Sequence, residues 1–576
     1  MDTKYAMGLD FGTNSCRSLI VNLVSGGEVA SHVFNYPSGD MGVITDRRDP
    51  NLARQHPADY LAGLETIIVQ GIAKAREAEA SFRPELIVGI GVDTTGSTPL
   101  PVDREVQALA LSPQFKDNPN AYAWLWKDHT SHAEAAEITA KALATRPQYM
   151  AVCGGTYSSE WFWAKIWHCL RVDPDVFAAA FSFVELCDWI PAVLTGNRDP
   201  LGLRRSVCAA GHKAMFSREW GGLPDEKFLD ALDPALSDLR GRLYDEAHTS
   251  DASAGVICAE WAGRTGLREG TVVAVGALDA HMGAVGAGCS EGVLVKILGT
   301  SACDLMVAGN GSRIGEIPGV CGIVDGSVLP GYYGIEAGQS AVGDIFLWFV
   351  NNLAPQSLGR TNDEKFASLN KLAARQRPGE SGLLALDWNN GNRCPLTDPR
   401  LSGMLLGQTL RTTAAEIYRA LIEATAFGAR MIIERVCEYG VKVKQVTACG
   451  GLASKNSFLM QVYADVLNVP LEVSVSEQTC ALGAALFGAM AANCFTDMAE
   501  AQSKLCRTGG KIYNPEPSNI AVYNELFMLY RQLHDGFGLP DWQGGMANVM
   551  KELIAIRERE GQALKAARAP KSKVAK

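Results

Sequence analysis

A chain of 576 residues is too long for one ordinary core and is expected to split into two or three domains. Its hydrophobic share of 47% and charged share of 20% are those of a globular protein. A net charge of −10 excludes a general nucleic-acid or acidic-membrane binder, which needs a basic face, but leaves room for a small phosphorylated ligand in a locally positive pocket. No basic start runs into a long apolar stretch, and no stretch is apolar enough to span a bilayer. The fifteen cysteines are scattered, without CxxC or zinc-ligand spacing, and read as buried thiols of a reducing compartment. The expected location is the cytoplasm.

The chain opens on a hairpin pattern: apolar Tyr5–Leu9, the turn Asp10-Phe11-Gly12-Thr13-Asn14-Ser15, then apolar Ser18–Val21. Glycine lets such a tip approach an anion without a clashing Cβ, while N–H and hydroxyl groups face it. Gly12, Thr13, Asn14, Ser15 and Arg17 are thus candidates to face terminal phosphates. Asp10, at the strand end, is either a turn cap or an outer ligand of nucleotide-borne Mg²⁺. Leu86–Val92 reads as a buried strand, and Asp93–Pro99 as the loop after it. Trp126-Lys127-Asp128-His129 and the helical segment Ser158–Leu170 are rich in aromatics. Trp161 and Trp163, two apart, do not share a helical face, so one of them is expected at a cleft.

Lys213 and Glu336 sit among small residues, in Gly-His-Lys-Ala and Gly-Ile-Glu-Ala-Gly-Gln. A surface ion pair is the ordinary reading; backbone packed close to a polar ligand is the alternative. His129, His212 and His281 read as hydrogen-bonded structural histidines, because none has ligand spacing to another His or Cys. The strand Val272–Ala277 leads into Asp279 at the start of a helix of small residues. A helix cap is a common use of Asp. The Gly and Ala around Asp279 leave space for substrate, which favours a general base accepting the proton of a sugar hydroxyl as it attacks phosphorus.

A domain boundary is expected near Gly286–Gly292, because a second hairpin follows: Val293–Ile297, the turn Leu298-Gly299-Thr300-Ser301, then Asp304–Val307. Gly299 and Thr300 are its phosphate-facing candidates, and two such tips across a cleft would clamp a polyphosphate. Thr413-Ala-Ala-Glu416 is a capping box opening a helix that runs to Gly440. A strand (Val443–Ala448), the turn Cys449–Asn456, a helix to Asn468, a strand (Pro470–Val475) and an Ala/Gly-rich helix from about Thr479 complete an α/β pattern. A glycine turn between strand and helix, here Gly450-Gly451, is where open α/β sheets bind nucleotides. The tail, with Lys565, Arg568, Lys571, Lys573 and Lys576, is expected to be a solvated end.

The hairpins, the Asp279 segment, the Gly450-Gly451 turn and their order resemble the FGGY carbohydrate kinases of the actin/hexokinase/Hsp70-like superfamily. Gly403-Met-Leu-Leu-Gly407, with Glu416-Ile417 and Ala420–Glu423, is similar to that family's C-terminal signature, with Gln408 departing from its usual aliphatic residue. Gly91–Pro99, Trp126–Thr130, Ser158–Lys165, Ala210–Lys213 and Glu336–Ser340 resemble segments of its pentulose-phosphorylating branch. The likeness runs from about residue 5 to about residue 530.

The resemblance implies an α/β fold of two ribonuclease-H-like (actin-like ATPase) domains with a nucleotide and sugar cleft between them. Residues 1–288 would bind sugar and phosphate, 289–540 adenosine, and 541–576 would form a helical, basic tail. It implies ATP and Mg²⁺ as cofactors and phosphorylation of the C5 hydroxyl of L-ribulose, a step of L-arabinose catabolism. Asp279 would be the catalytic base; the Gly96 backbone, Lys213, Asp279 and Glu336 would hold the sugar. Asp10 and Asp279 would hold Mg²⁺; Thr13, Asn14 and Thr300 would approach phosphates, and Gly450, Gly451 and Asn456 would line the adenosine pocket. No nucleic-acid or membrane partner is expected, and a homo-oligomer is compatible with the sequence. The competing readings are another pentulose, such as D-ribulose or a xylulose, and a non-kinase actin-like ATPase.

Overall fold

The computed structural model describes residues 3–309, 314–507 and 509–568. The chain forms two compact units interleaved in sequence. The first comprises Met1–Val295, Leu305–Glu336 and Ser474–Gly509; the second comprises Lys296–Asp304, Ala337–Val473 and Gly510–Lys576. In chain order the strands that position the site are β1 (Tyr5–Phe11), β2 (Ser15–Asn22), β3 (Glu28–Asn35), β4 (Ile87–Thr94), β5 (Ser253–Val256), β6 (Val272–Ala274), β7 (Ala277–Leu278), β8 (Gly292–Leu298), β9 (Ala302–Gly309), β10 (Gly322–Asp325), β11 (Tyr332–Gln339), β12 (Val443–Cys449), β13 (Leu471–Val473) and β14 (Ile512–Tyr513). The helices are α1 (Pro57–Ala78), α2 (Phe162–Val172), α3 (Val207–Lys213), α4 (Asp279–Gly286), α5 (Gly343–Asn352), α6 (Ala414–Glu438), α7 (Ser457–Leu467), α8 (Thr479–Ala491) and α9 (Val549–Arg568).

The first unit is built on a sheet of order β5-β6-β4-β1-β2-β3, with β7 pairing the far end of β4. The β1–β2–β3 ribbon is antiparallel, as its short glycine turn requires, whereas β1, β6 and β7 run parallel to β4. Every residue of β1 is buried, because both faces of the sheet are covered. On one face lies α1; on the other lies α8, almost wholly buried and made of Ala, Gly and a few larger residues. The approach of α8 is backbone to backbone: a Cβ at Gly8 would collide with the carbonyl of Ala481, and one at Gly91 with that of Ala484. A second core of the same unit packs Trp124, Trp163, Trp167 and Phe183 over the segment from Leu109 to Ala247.

The sheet of the second unit takes the last residues of β8 and β11, the first of β9, and then β12, β13 and β14. The capping box at Thr413 forms: its N–H donates to Glu416 Oε2 at 2.6 Å, and its hydroxyl accepts from the Glu416 N–H. Helix α6 then runs 25 residues, with Tyr439 closing it just before Gly440. Two local expectations shift. The aromatic helix begins at Phe162 rather than Ser158, because the backbone is still extended at Trp161. Strand β4 continues through Thr94, two residues beyond the expected end. Helix α9 covers the tail as far as Arg568, with Val549, Leu553 and Ile556 buried; Lys571, Lys573 and Lys576 lie outside the described residues. Among the described residues no helix is long and apolar enough to cross a membrane.

Candidate active site

Strand register assembles the acidic centre. In the parallel pair β1–β4, Asp10 lies opposite Asp93; in the pair β7–β4, Ala277 lies opposite Asp93 and Leu278 opposite Thr94. The next residue, Asp279, opens α4. Three carboxylates therefore converge at the C-terminal ends of adjacent parallel strands, the edge where open α/β sheets bind ligands. The N-cap of α4 is Leu278, and one Asp279 oxygen accepts from the Ala280 N–H at 2.7 Å, so Asp279 is the first helical residue rather than its cap.

The centre carries surplus negative charge. Asp93 is fully buried, and neither of its oxygens has a hydrogen-bond donor among the described groups. Burial, followed by the Asp10 and Asp279 charges, pushes its carboxyl well above the ordinary range. Burial also raises Asp10, opposed by the Arg17 guanidinium, whose Nε lies 3.2 Å from Asp10 Oδ2. Asp279 is pushed up to about 7 by burial and then by Asp10. A buried carboxylate without donors, Asp93, between two further carboxylates suits a hard cation with oxygen ligands. Cys480, near the start of α8, brings a thiol to the same place: one ligand atom each of Asp10, Asp93 and Cys480 lies within 4.8 Å of the others.

Beside this centre, Lys213 ends α3 and donates to both oxygens of Glu336 in β11, at 3.1 and 3.0 Å. Burial alone would raise the Glu336 carboxyl, but Lys213, His212 and His281 hold it well below its ordinary range. The Tyr157 hydroxyl anchors the Lys213 carbonyl at 2.6 Å, and the Trp161 ring lies 5.6 Å from Nζ. Trp163 is fully buried and donates to the Ala214 carbonyl; both tryptophans belong to the second core of the first unit, and Trp161 is the one whose ring lies near the Lys213 ammonium. The Gly96 loop is pinned from beneath. Buried Lys165 donates to the carbonyls of Ser97 (2.7 Å) and Leu125 (2.8 Å), and Glu185 accepts from the Thr98 N–H (2.8 Å) and the Ser97 hydroxyl. The Leu278 side chain packs where a Cβ of Gly96 would stand, which sets this loop against the strand carrying Asp279.

In the first turn the Gly12 N–H donates to the Ser15 carbonyl at 2.9 Å. The Thr13 hydroxyl accepts from Trp126 Nε1 at 3.0 Å, and the Asn14 amide donates to the Met41 carbonyl at 2.7 Å. Ser15 is buried, and Arg17 is engaged by Asp10 instead of standing free toward a phosphate. In the second unit Gly299, Thr300, Gly450 and Gly451 are exposed. Gly450, at φ 94°, packs on the Leu298 backbone, which sets the two glycine turns of that unit side by side. Asn456 is buried as a helix cap, accepting from the Leu459 N–H at 3.0 Å and donating to Asn370 at 3.1 Å.

Asp93 and Cys480 escaped the sequence reading. Asp93 was placed in a loop, and only the register with β1 reveals it. The expectation of hydrogen-bonded histidines holds for His212, whose Nε2 is 2.9 Å from Ser327 Oγ. It fails for His281: both ring nitrogens are buried without a hydrogen-bond partner among the described groups.

Donor-poor carboxylates beside a charged Lys–Glu pair have the chemistry to take a cation and a polyhydroxy ligand, the two things that phosphoryl transfer to a sugar demands. Residues 5–286 match the N-terminal domain, and residues 294–492 the C-terminal domain, of the FGGY family of carbohydrate kinases. The chain belongs to that family: it is a sugar kinase, with a sugar and ATP as its small-molecule partners. Among curated relatives, a ribulokinase of Vibrio parahaemolyticus is 42% identical over 92% of this chain and 95% of its own length. A ribulokinase of Shouchella clausii is 41% identical over 96% of this chain and 98% of its own. The xylulose kinase of Rhodospirillum rubrum superposes with a TM-score of 0.75 at 22% identity, over 93% of this chain and 99% of its own. Plasmodium falciparum glycerol kinase with ADP superposes at 0.74 and 16% identity, over 94% of this chain and 99% of its own. These likenesses show the fold, which this chain shares with those two kinases.

Proposed function

We propose that the protein is an ATP-dependent ribulokinase that transfers the γ-phosphoryl group to the C5 hydroxyl of L-ribulose. The observation that carries the chemistry is the register-aligned trio Asp10, Asp93 and Asp279 beside the Lys213–Glu336 pair. The naming of the curated relatives supports the sugar. Asp279 orients the attacking hydroxyl and takes its proton, and its elevated carboxyl, at about 7, is matched to a hydroxyl that becomes acidic only as the bond to phosphorus forms. Lys213 and Glu336 bind sugar hydroxyls as donor and acceptor, with the Gly96 backbone closing the pocket. The residues fit Mg²⁺: Asp10, Asp93 and Asp279 would hold it, and when bound it neutralises polyphosphate charge. Gly12 and Gly299 close their own turns, each N–H donating to a carbonyl within the turn, which leaves Thr13 and Asn14 in the first unit, and Thr300, Gly450 and Gly451 in the second, to offer N–H and hydroxyl donors to phosphates and nucleotide. In this reading residues 1–288, joined by Glu336, take the sugar, and the remainder of 289–540 takes the adenosine. The reaction is assigned to a reducing compartment, the cytoplasm, in keeping with cysteines scattered without a paired spacing.

The test is ADP release with Mg-ATP across L-ribulose, D-ribulose, L-xylulose, D-xylulose and glycerol. Turnover strongest with L-ribulose is the expected result. Equal rates across the pentuloses keep the kinase and remove the specific sugar; ADP release that ignores sugar overturns the proposal.

A further inference from the structure

A second set of ligand-type side chains lies in the first unit, beside the Lys213–Glu336 pair. His212 comes from the last turn of α3, His281 from the first turn of α4, and Glu336 from β11, where it pairs with Gly322 of β10. Both imidazoles are buried. His212 Nδ1 lies 3.4 Å, and His281 Nε2 3.6 Å, from the same oxygen, Glu336 Oε2. The ring centroids are 4.4 Å apart, and the three ligand atoms fall within 4.8 Å of one another. A tetrahedral ion with bonds of about 2.0–2.1 Å has ligand-to-ligand edges of about 3.3–3.4 Å. Two of the three edges are thus already near that length.

Hydrogen placement sharpens the geometry. The Ser327 hydroxyl donates to the Val324 carbonyl at 3.1 Å, which leaves only its lone pairs for His212 Nε2 at 2.9 Å. That arrangement favours the tautomer with its proton on Nε2, in which Nδ1 turns a lone pair toward a carboxylate oxygen. Two acceptors facing each other in a buried site repel, and neither nitrogen of His281 has a hydrogen-bond partner among the described groups to relieve them. A cation placed among the three reverses that repulsion. The His212–Ser327–Val324 chain is the kind of outer support that fixes a metal-binding histidine in its tautomer. Lys213 Nζ donates to both oxygens of Glu336, at 3.1 Å to Oε1 and 3.0 Å to Oε2, so an ion on Oε2 takes the place of the second bond while Oε1 keeps its ammonium partner.

We propose that His212 Nδ1, His281 Nε2 and Glu336 Oε2 form a site for an imidazole-preferring divalent transition ion, Zn²⁺ foremost, with a fourth position open to a water or hydroxyl oxygen. Two imidazoles and one carboxylate suit zinc far better than Mg²⁺, which takes oxygen ligands, so the ion here is distinct from the one expected at Asp10 and Asp93. Because Glu336 is also assigned to the sugar, Zn²⁺ occupancy weakens sugar binding; that consequence alone rests on the kinase reading.

The test is a titration of the chelator-stripped full chain with Co²⁺ as a visible probe and Zn²⁺ as competitor, in excess Mg²⁺. One equivalent of Co²⁺ is expected to give the intense visible bands of a four-coordinate nitrogen–oxygen site and to be displaced by Zn²⁺. His281→Gln and His212→Gln should bind at least tenfold more weakly, and Cys480→Ser as tightly as the parent. Ser327→Ala keeps all three ligands and should weaken binding about 10–100-fold, so it supplies a readout if a histidine variant fails to fold. No saturable Co²⁺ spectrum in the parent, unchanged affinity in His281→Gln, or loss of the bands in Cys480→Ser would each overturn the proposal, the last by moving the ion to the Asp10–Asp93 group.

Discussion

The two glycine turns that open the two hairpins have similar sequences but are braced by different means. The Asp10–Ser15 turn is tied by side chains: Trp126 Nε1 donates to the Thr13 hydroxyl at 3.0 Å, Gln55 to the Thr13 carbonyl at 2.7 Å, and Asn14 to the Met41 carbonyl at 2.7 Å. The Gly299–Ser301 turn is tied by backbone: the N–H groups of Val342 and Asp344 donate to the Thr300 carbonyl at 2.8 and 3.1 Å, and that of Gly343 to the Gly299 carbonyl at 3.1 Å. The charges beside the turns differ in the same way. Behind the second, Lys296 bonds Asp304 at 2.8 Å and Gln339 at 3.0 Å, Gln339 bonds Asp387 at 2.7 Å, and the Tyr530 hydroxyl closes the chain on Asp387 at 2.7 Å. Behind the first, Asp93 has no donor at all among the described groups. A buried charge that is fully satisfied fastens a fold, and one left unsatisfied marks where a ligand belongs.

The comparison breaks first, if it is wrong, at Asp279. Asp279→Asn should lower kcat by about 10²–10⁴-fold, the range of a positioned acid or base, while its thermal melt stays at or above the parent's. Near-normal turnover in a folded variant would remove the base role. The next largest effect lies in the second unit. Lys296→Met leaves Asp304 buried without its ammonium and should cost roughly 3–5 kcal/mol of that unit's stability in urea. A loss below about 1 kcal/mol would place the pair with ordinary surface bridges and end the contrast.

That contrast was only half legible in the sequence. Local signals sufficed for the hairpins, for the Thr413–Glu416 box and for Asp279 at the joint of a strand and a small-residue helix. Asp93 was hidden because an apolar run ending at Val92 looks complete, and the two further paired residues depend on β1, some eighty positions away. The seat of α8 was hidden for a related reason. A helix of Ala and Gly fits any smooth surface, and only the glycines at 8, 89 and 91 on neighbouring strands identify the sheet it covers. His281 gave no spacing signal at all, since its neighbours in space, His212 and Glu336, come from other segments.

Asp93→Asn separates site from scaffold by the sign of its effect. The folded state holds the Asp93 proton more tightly than the ordinary value of 3.8 allows, so between that value and the raised one the folded form binds more protons than the unfolded. Its contribution to stability is therefore lost as pH rises. With chelator present, Asp93→Asn should melt higher than the parent, and by more at pH 8 than at pH 5, while needing more Mg²⁺ for half-maximal activity. A variant that melts lower at pH 8 would show that the carboxylate is satisfied after all.

The smallest expected effect tests the braces themselves. Trp126→Phe keeps an aromatic ring but removes the pyrrole edge of the indole with the N–H that bonds Thr13; the hydrogen bond itself is worth about 1 kcal/mol. It should raise KM for ATP by about fivefold, the factor equivalent to that energy, with kcat and KM for sugar nearly unchanged. No comparable side-chain deletion exists for the second turn, because its donors are main-chain N–H groups around the start of α5. Asp344→Ala, which keeps the donating N–H, should accordingly leave KM for ATP within twofold of the parent. If Asp344→Ala loosened nucleotide binding as much as Trp126→Phe, the second turn would depend on side chains too, and the difference between the two hairpins would reduce to the charges behind them.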